Sequence, residues 1–348
     1  MSGAIVRCLE APPPGWESLV AADPNAVPSH RPELVRSMAA VLPGMTARFV
    51  AVEQGGALIG GTPFVIERRA SFRWVHVLPF LLPGAPLGPG PRRAEVDALV
   101  AQALGAVVRE TRAVGGEWVL YRPCGPEPDA AAAATLADEV RFLEASLIEL
   151  DQGIEPAWRR LDRDTRSGLR RARLEGLRFG EDPEALEESY ALHLAQSRRW
   201  PGHRPVPLEL GRRLLQAPPE SPGGGEPMAR LFTVRAGGRL LTATLFLDGG
   251  RELFAWWSGS REAARARHAV PFLYWSAAEW AAARGRARLN LGGSGGKLSL
   301  EAFKRSFGAR LHRYPVHWIG AGAGSWLGRK VAGLQGAMRR RRFRGDES

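Results

Sequence analysis

The chain repeats itself, and this restricts its fold more than any other feature. Residues 47–76, ARFVAVEQGGALIGGTPFVIERRASFRWVH, align without a gap on residues 229–258, ARLFTVRAGGRLLTATLFLDGGRELFAWWS, at an offset of 182. Identities fall at Ala47/Ala229, Arg48/Arg230, Val52/Val234, Gly55-Gly56/Gly237-Gly238, Leu58/Leu240, Thr62/Thr244, Phe64/Phe246, Phe72/Phe254 and Trp74/Trp256. In each copy apolar runs flank a Gly-Gly turn, the pattern of a β-hairpin, and a third apolar run follows. Copy one then runs through a Pro/Gly loop (83–91) into a helical pattern near 92–114 and on to GGEWVLYRP. Copy two runs through SREAARARH into a helical pattern near 269–284 and on to RGRARLNLGG. A period this long excludes a solenoid and implies a duplicated domain. The expected fold class is α+β: two domains, each a mixed, mostly antiparallel sheet flanked by helices. The expected boundaries are 1–150 and 151–320, with a basic tail over 321–348.

Composition narrows the setting. Apolar residues make up 45% and charged residues 24%, as in a soluble globular protein. The formal charge is +12 with a pI near 10.8, which favours an anionic partner; arginine bias with abundant Ala and Gly also fits a GC-rich genome. Two cysteines, Cys8 and Cys124, fit a reducing compartment and lack the His or Cys neighbours of a zinc site, so no metal is expected. The first residues lack the apolar core of a signal peptide, and no run has the length of a membrane span. The expected location is cytoplasmic, with peripheral contact to the inner membrane face as a further option.

Lysine is rare here: Lys297, Lys304 and Lys330 stand against 45 arginines, and two of the three lie in LNLGGSGGKLSLEAFKRSFGARL (289–311). Glycines 292, 293, 295 and 296 suit a sharp turn or close approach of backbone to a ligand. A Walker A loop is excluded, because Leu291 stands where its first Gly belongs and Leu298 follows Lys297. Upstream, AWRRLDRDTRSGLRRARLEGLRFG (157–180) reads as an arginine-rich helix ending at Gly176. Arg163, Arg166 and Arg170, with Arg159 and Arg173, form a helical stripe, either a patch for tRNA or another polyanion or a solvated face balanced by Asp162, Asp164 and Glu175.

Three antiparallel strands, a crossing helix and a parallel returning strand resemble the GNAT acyltransferase fold. The order of Arg-rich segment, second repeat, LNLGG and FKRSFG resembles the FemAB-like branch of that superfamily, including relatives with a BioF2-like acetyltransferase domain. The resemblance covers residues 45–320 and is best over 157–180 and 229–318. It implies transfer of an acyl group, aminoacyl or acetyl-type, from an activated donor to an amine, with the donor in the second domain and the acceptor between the domains. The donor is either aminoacyl-tRNA or acyl-CoA, no cofactor is tightly bound, and the acceptor is a cell-envelope precursor, a peptide or a small amine. In the ligases of this branch a Phe-Lys pair lies at the reaction centre; its equivalents are Phe303 and Lys304.

An ammonium at 304 suits a tetrahedral oxyanion or a donor phosphate, while the spacing Leu300, Phe303, Phe307 also lets Phe303 be core. Standard acetyl-CoA users carry Gln/Arg-x-x-Gly-x-Gly/Ala before the long helix, and neither RARHAVP (265–271) nor LGPGPRRAE (87–95) fits. Arg265, Arg267 and His268 nevertheless stand at that helix start, where backbone N–H groups favour anions. With Gly292, Gly293 and Lys297 they form the expected donor or phosphate site. The terminus, through residues 326–342, suits packing on the first domain, an anionic membrane or the RNA patch. A catalytically silent RNA- or membrane-binding relative is the reading of a different class.

Overall fold

In the computed structural model, which describes residues 3–69, 72–78, 82–88, 90–125, 139–199, 205–216 and 227–320, the chain divides into two units. Unit 1 comprises residues 1–143 and 313–348, and unit 2 residues 144–312. The expected tail and its membrane segment, 321–348, lie outside the described residues.

Unit 1 contains β1 (Ile5–Leu9), α1 (Trp16–Ala22), α2 (Pro32–Val41), β2 (Met45–Gln54), β3 (Ala57–Arg69), β4 (Phe72–Val77), α3 (Arg93–Glu110) and β5 (Gly115–Val119). Strand β6 (Glu139–Glu149) leads into unit 2. There follow α4 (Ile154–Arg160), α5 (Arg163–Leu174), β7 (Arg178–Glu181), α6 (Leu186–Ser197), α7 (Leu208–Gln216), β8 (Ala229–Ala236), β9 (Arg239–Gly249) and β10 (Glu252–Ser260). The short α8 (Ala263–Ala266), α9 (Ala269–Ala283), β11 (Arg288–Asn290) and α10 (Leu298–Ser306) complete unit 2, and β12 (Arg310–Gly320) returns the chain to unit 1. Strand order is β1-β2-β3-β4-β5-β12 in unit 1 and β6-β11-β10-β9-β8-β7 in unit 2. In both, the pair crossed by the long helix is parallel, and it is the only such pair among the described residues: β4 with β5, and β10 with β11.

The duplication is visible in the backbone. The turns Gly55-Gly56 and Gly237-Gly238 have φ values of 56°, 81° and 53°, 79°, so all four residues occupy the left-handed region that a two-residue hairpin turn of this hand demands. Each hairpin also breaks register at the same residue, between Val52 and Glu53 and between Val234 and Arg235. Phe64 and Phe246 are fully buried in their respective cores, a burial worth about 2–3 kcal/mol each.

The third strands correct the gapless alignment. Val65 pairs with His76, whereas its counterpart Leu247 pairs with Phe254. His76 therefore corresponds to Phe254, and the matches Phe72/Phe254 and Trp74/Trp256 are coincidental. The reason is the second hairpin: β3 runs on to Arg69, while β9 stops at Gly249.

Three further expectations change. The arginine-rich helix is two helices, broken at Leu161, because Asp162 starts a new one by accepting from Thr165 N (2.8 Å). The stripe accordingly loses Arg159, which lies on α4. The unit boundary falls at 143/144 instead of 150/151, because the C-terminal end of β6, Leu147 to Glu149, pairs with β11 of unit 2, and β12 supplies the strand beside β5.

Unit 1 buries a charged row on one sheet face. His76 Nε2 lies 2.7 Å from Glu67 Oε2 and Nδ1 lies 3.1 Å from Glu117 Oε1. Burial opposes charge on this imidazole, but the two carboxylates outweigh it and raise its pKa; Glu67, despite its own burial, is held down at about 2 by His76 and Arg69. A folded-state pKa raised above 6.5 means stability fully present below pH 6.5 and lost as pH rises through the folded value. We expect His76→Gln to cost about 1–3 kcal/mol in acid-side urea unfolding, since two half-buried carboxylates each lose one partner. The deficit relative to wild type should shrink as the titration is repeated at rising pH; a deficit independent of pH would contradict the ion pair.

Candidate functional site

The parallel ladder of unit 2 is three residues long. Glu252, Leu253 and Phe254 pair with Arg288, Leu289 and Asn290, and there β11 ends while β10 runs on to Ser260. Trp256 is the extra residue of a bulge between Ala255 and Trp257. Arg261 N donates to Leu241 O (2.8 Å), so by antiparallel alternation Ser258 and Ser260 turn their peptide groups away from β9, toward the gap. His193 on α6 occupies one of these positions, its Nδ1 lying 2.9 Å from Ser258 O; burial lowers its pKa, so the ring is neutral and donates. Gly259 allows this approach, because a Cβ there would stand 2.4 Å from His193 N.

In unit 1 the corresponding gap is filled by the chain itself. Beyond Val77, Leu78 turns at φ 68°, Tyr121 N donates to Gly84 O (2.7 Å), and Leu87 and Gly61 exchange backbone hydrogen bonds of 2.7 and 3.0 Å. At the start of α3, where an external anion would sit, the buried Asp23 carboxylate accepts from Gly88 N (2.9 Å) and Arg93 Nη2 (3.2 Å). In unit 2, among the described residues, no backbone segment bonds to the matching side of β10 beyond Phe254, and His193 is the side chain that reaches it.

Downstream of β11 the glycine loop is braced from both sides. Buried Glu252 holds Arg288 Nε (3.0 Å) and Asn290 Nδ2 (2.9 Å), and Asn290 Oδ1 accepts from Gly292 N (2.8 Å). Gly292 O accepts from Ser146 N of β6 (3.0 Å) and from Lys304 Nζ (2.8 Å); Gly293 O accepts from the same ammonium (2.9 Å). Gly292 has φ 70°, and a Cβ on Gly293 would meet Glu144 O at 2.7 Å, so both positions need glycine. Lys304 is 4% exposed, and burial pulls its pKa down to about 8 against the partial opposition of Glu301.

The remaining expected residues divide. Phe303 is half-buried, packed on the core with its ring 6.1 Å from Tyr274 and 5.2 Å from Phe307. Lys297 is the N-cap residue of α10 and so belongs to the same segment as the glycines and Lys304. His268 is the N-cap residue of α9 at φ 52°, its ring so close to Gly168 of α5 that a Cβ there would lie 2.8 Å from Nδ1. Arg267 is engaged with Glu175, through Oε2 and the backbone O (both 3.2 Å), while Arg265 is exposed. On α5, Arg163 and Arg170 are exposed, Arg166 is half-buried, and the Arg170 guanidinium lies 6.0 Å from the Trp158 ring centre. Thr165 of α5 bonds Ser306 of α10 (3.0 Å), which ties the arginine helix to the end of the lysine helix.

Sequence reasoning missed Tyr274, His193, Asn290 and Glu252. The Tyr274 phenol lies against Ser258 and Thr244, and burial raises its pKa, so it stays protonated. Its only sequence signal was an aromatic in an apolar helix, which reads as core. Among the described residues no group of three or more His, Cys, Asp or Glu gathers as a metal ligand set, and no helix is long and apolar enough to cross a membrane.

Because the folded Lys304 gives up its proton near pH 8 and an unfolded lysine near 10.5, the unfolded chain binds more protons between these values. Stability from this site therefore rises with pH across that window. Thermal unfolding of wild type and Lys304→Met between pH 8 and 10.5 should show wild type gaining relative to the variant. Parallel curves would mean that Lys304 is not buried as described.

With this geometry in place, the likenesses to known proteins gain meaning. Residues 159–305 match the model of the acetyltransferase (GNAT) domain family. No curated protein sequence matches the chain. Among solved structures, FemX superposes with a TM-score of 0.68 at 12% identity, covering 89% of this chain and 96% of its own. A tandem GNAT protein from the clavulanic acid biosynthesis pathway gives 0.52 at 16%, covering 92% and 99%. L-PGS from Bacillus licheniformis gives 0.52 at 15%, covering 95% and 97%. At such identities the likeness speaks for the fold: residues 159–305 match a GNAT domain, and the chain has the two-unit fold of FemX and of the tandem GNAT protein.

Proposed function

We propose that the chain is an acyltransferase that carries an acyl group from an activated donor to an amine, forming an amide, in the gap between β10 and β11. The observation that supports this reading is the contrast between the units: residues 82–88 occupy the gap in unit 1, whereas among the described residues of unit 2 no backbone group bonds to that side of β10 beyond Phe254. An extended acyl donor entering the gap of unit 2 meets the bulge at Trp256, the Tyr274 hydroxyl and the glycine loop. No Ser-His-Asp or Cys-His pair takes part, so attack by the neutral amine on the donor carbonyl is direct.

An ester donor such as aminoacyl-tRNA fits better than acyl-CoA. The pantetheine arm of CoA carries two amides suited to an open strand edge, and His193 already holds the carbonyl of Ser258 on that edge. At the start of α9, where a pyrophosphate would bind, Arg267 is committed to Glu175 and His268 to α5. The exposed Arg163 and Arg170, with Arg166 beside them, offer phosphate contacts to an RNA approaching the same unit.

Thermal-shift and deacylation measurements on the full chain should decide between donors. Mixed aminoacyl-tRNA should raise the melting temperature and lose its aminoacyl group faster when amines are supplied. Acetyl-CoA should do neither. Stabilisation by acetyl-CoA alone would establish a small-amine acetyltransferase, in which the arginines serve CoA phosphates. Silence with both donors would end the acyl-transfer reading and favour a binding protein.

A further inference from the structure

We infer that the backbone N–H groups of Gly293 and Ser294 form an oxyanion site facing the gap, and that Lys304 is the positioning residue that aims them. The inference rests on the acyl-transfer reading only for the identity of the anion. In a planar trans peptide the C=O and N–H point in opposite directions. Gly292 O points to Ser146 N on β6 and to the Lys304 ammonium, so the N–H of Gly293 points away from β6. In the strand order, β6 and β10 lie on opposite sides of β11, so this N–H faces the gap that β10 borders. Gly293 O points to the same ammonium, so the N–H of Ser294 is turned away from Lys304.

Neither N–H donates to any group among the described residues. The Ser294 hydroxyl is a second, independent sign: the residue is 7% exposed, and its Oγ bonds nothing among the described residues. Gly293 itself is exposed, so its amide is open to a ligand. The buried, unmet Ser294 hydroxyl is costly to keep unless a ligand or a water uses it, and the exposed Gly293 amide beside it is available to a new acceptor.

The chemistry follows. As the amine nitrogen bonds to the donor carbonyl carbon, the carbonyl π pair moves on to oxygen, and two preset donors stabilise that charge. On collapse the pair re-forms C=O, the bond to the leaving oxygen or sulfur breaks, and the nitrogen's proton passes to the leaving group through solvent. Lys304 acts through the loop: its ammonium is spent on two carbonyls.

The test uses the full chain, perdeuterated and ¹⁵N-labelled, with methylphosphonate as a tetrahedral anion probe. Both amide protons, Gly293 and Ser294, should move downfield on titration in wild type and stay in place in Lys304→Met. With the two natural cysteines replaced by serine, Lys304→Cys treated with bromoethylamine restores an ammonium at this position and should restore the shifts, which a merely structural defect would not allow. If Lys304→Met does not fold, the untreated and treated Cys variant carry the comparison. In a turnover assay the loss should be about 10²-fold in kcat, with donor KM within about 2-fold. Absence of both shifts in wild type overturns the inference, as do shifts confined to surface arginines, which mean an adventitious ion only. Equal shifts in wild type and Lys304→Met overturn the role of the lysine. The anion titration needs no activity, so amide shifts without turnover would leave this site standing while the acyl-transfer reading falls, and turnover without shifts would do the reverse.

Discussion

Everything at the candidate site depends on where one parallel ladder stops. β10 and β11 stay together for three residues, under the buried Arg288–Glu252–Asn290 network, and then part. A buried ion pair of this kind is a poor source of net stability, because desolvation consumes most of the Coulombic gain. Its value lies in position: it fixes the last paired residue, and Asn290 carries that fixation into the amide of Gly292. The bulge at Trp256 and the glycine loop then diverge from a defined point. Without that anchor the two peptide groups beyond it would have no set direction.

The two units show what a duplicated framework keeps and what it gives up. Turn conformation and the hairpin register break are common to both copies, since each follows from local backbone demands. Side-chain roles are not. Arg48 pairs with the exposed Glu10, whereas Arg230 is buried against Asp248 and stacks on Trp280. One copy closes its gap with its own chain and a buried carboxylate; in the other, among the described residues, no backbone segment enters and the His193 side chain reaches the strand edge.

Much of the fold was legible in the sequence because period and turn chemistry are local signals. The Gly-Gly turns, the strand–helix–strand order and the grouping of Lys297, Lys304 and the glycines all follow from spacing. The third-strand alignment failed because apolar strands without a marked turn residue slide in register, and the continuous arginine helix failed because a cap at Asp162 is weak evidence until a break is seen. Lys304 was legible as an unusual residue, but not what it touches: a lysine facing backbone carbonyls and one facing a substrate have the same sequence. His193 and Tyr274 were invisible for a similar reason, since a polar atom on an apolar helix face is indistinguishable from core.

Strand β12 has a consequence for biosynthesis. It is the last described element, yet it lies beside β5 in unit 1, whose other sheet strands are made before unit 2 begins. A nascent chain emerging from the ribosome therefore cannot finish its first unit until the whole of the second has been made. Until then the edge of β5 waits unpaired, an aggregation hazard that vectorial synthesis does not resolve. Unit 2, whose six strands all lie between residues 139 and 290, can close first, so the order of maturation runs opposite to the order of translation.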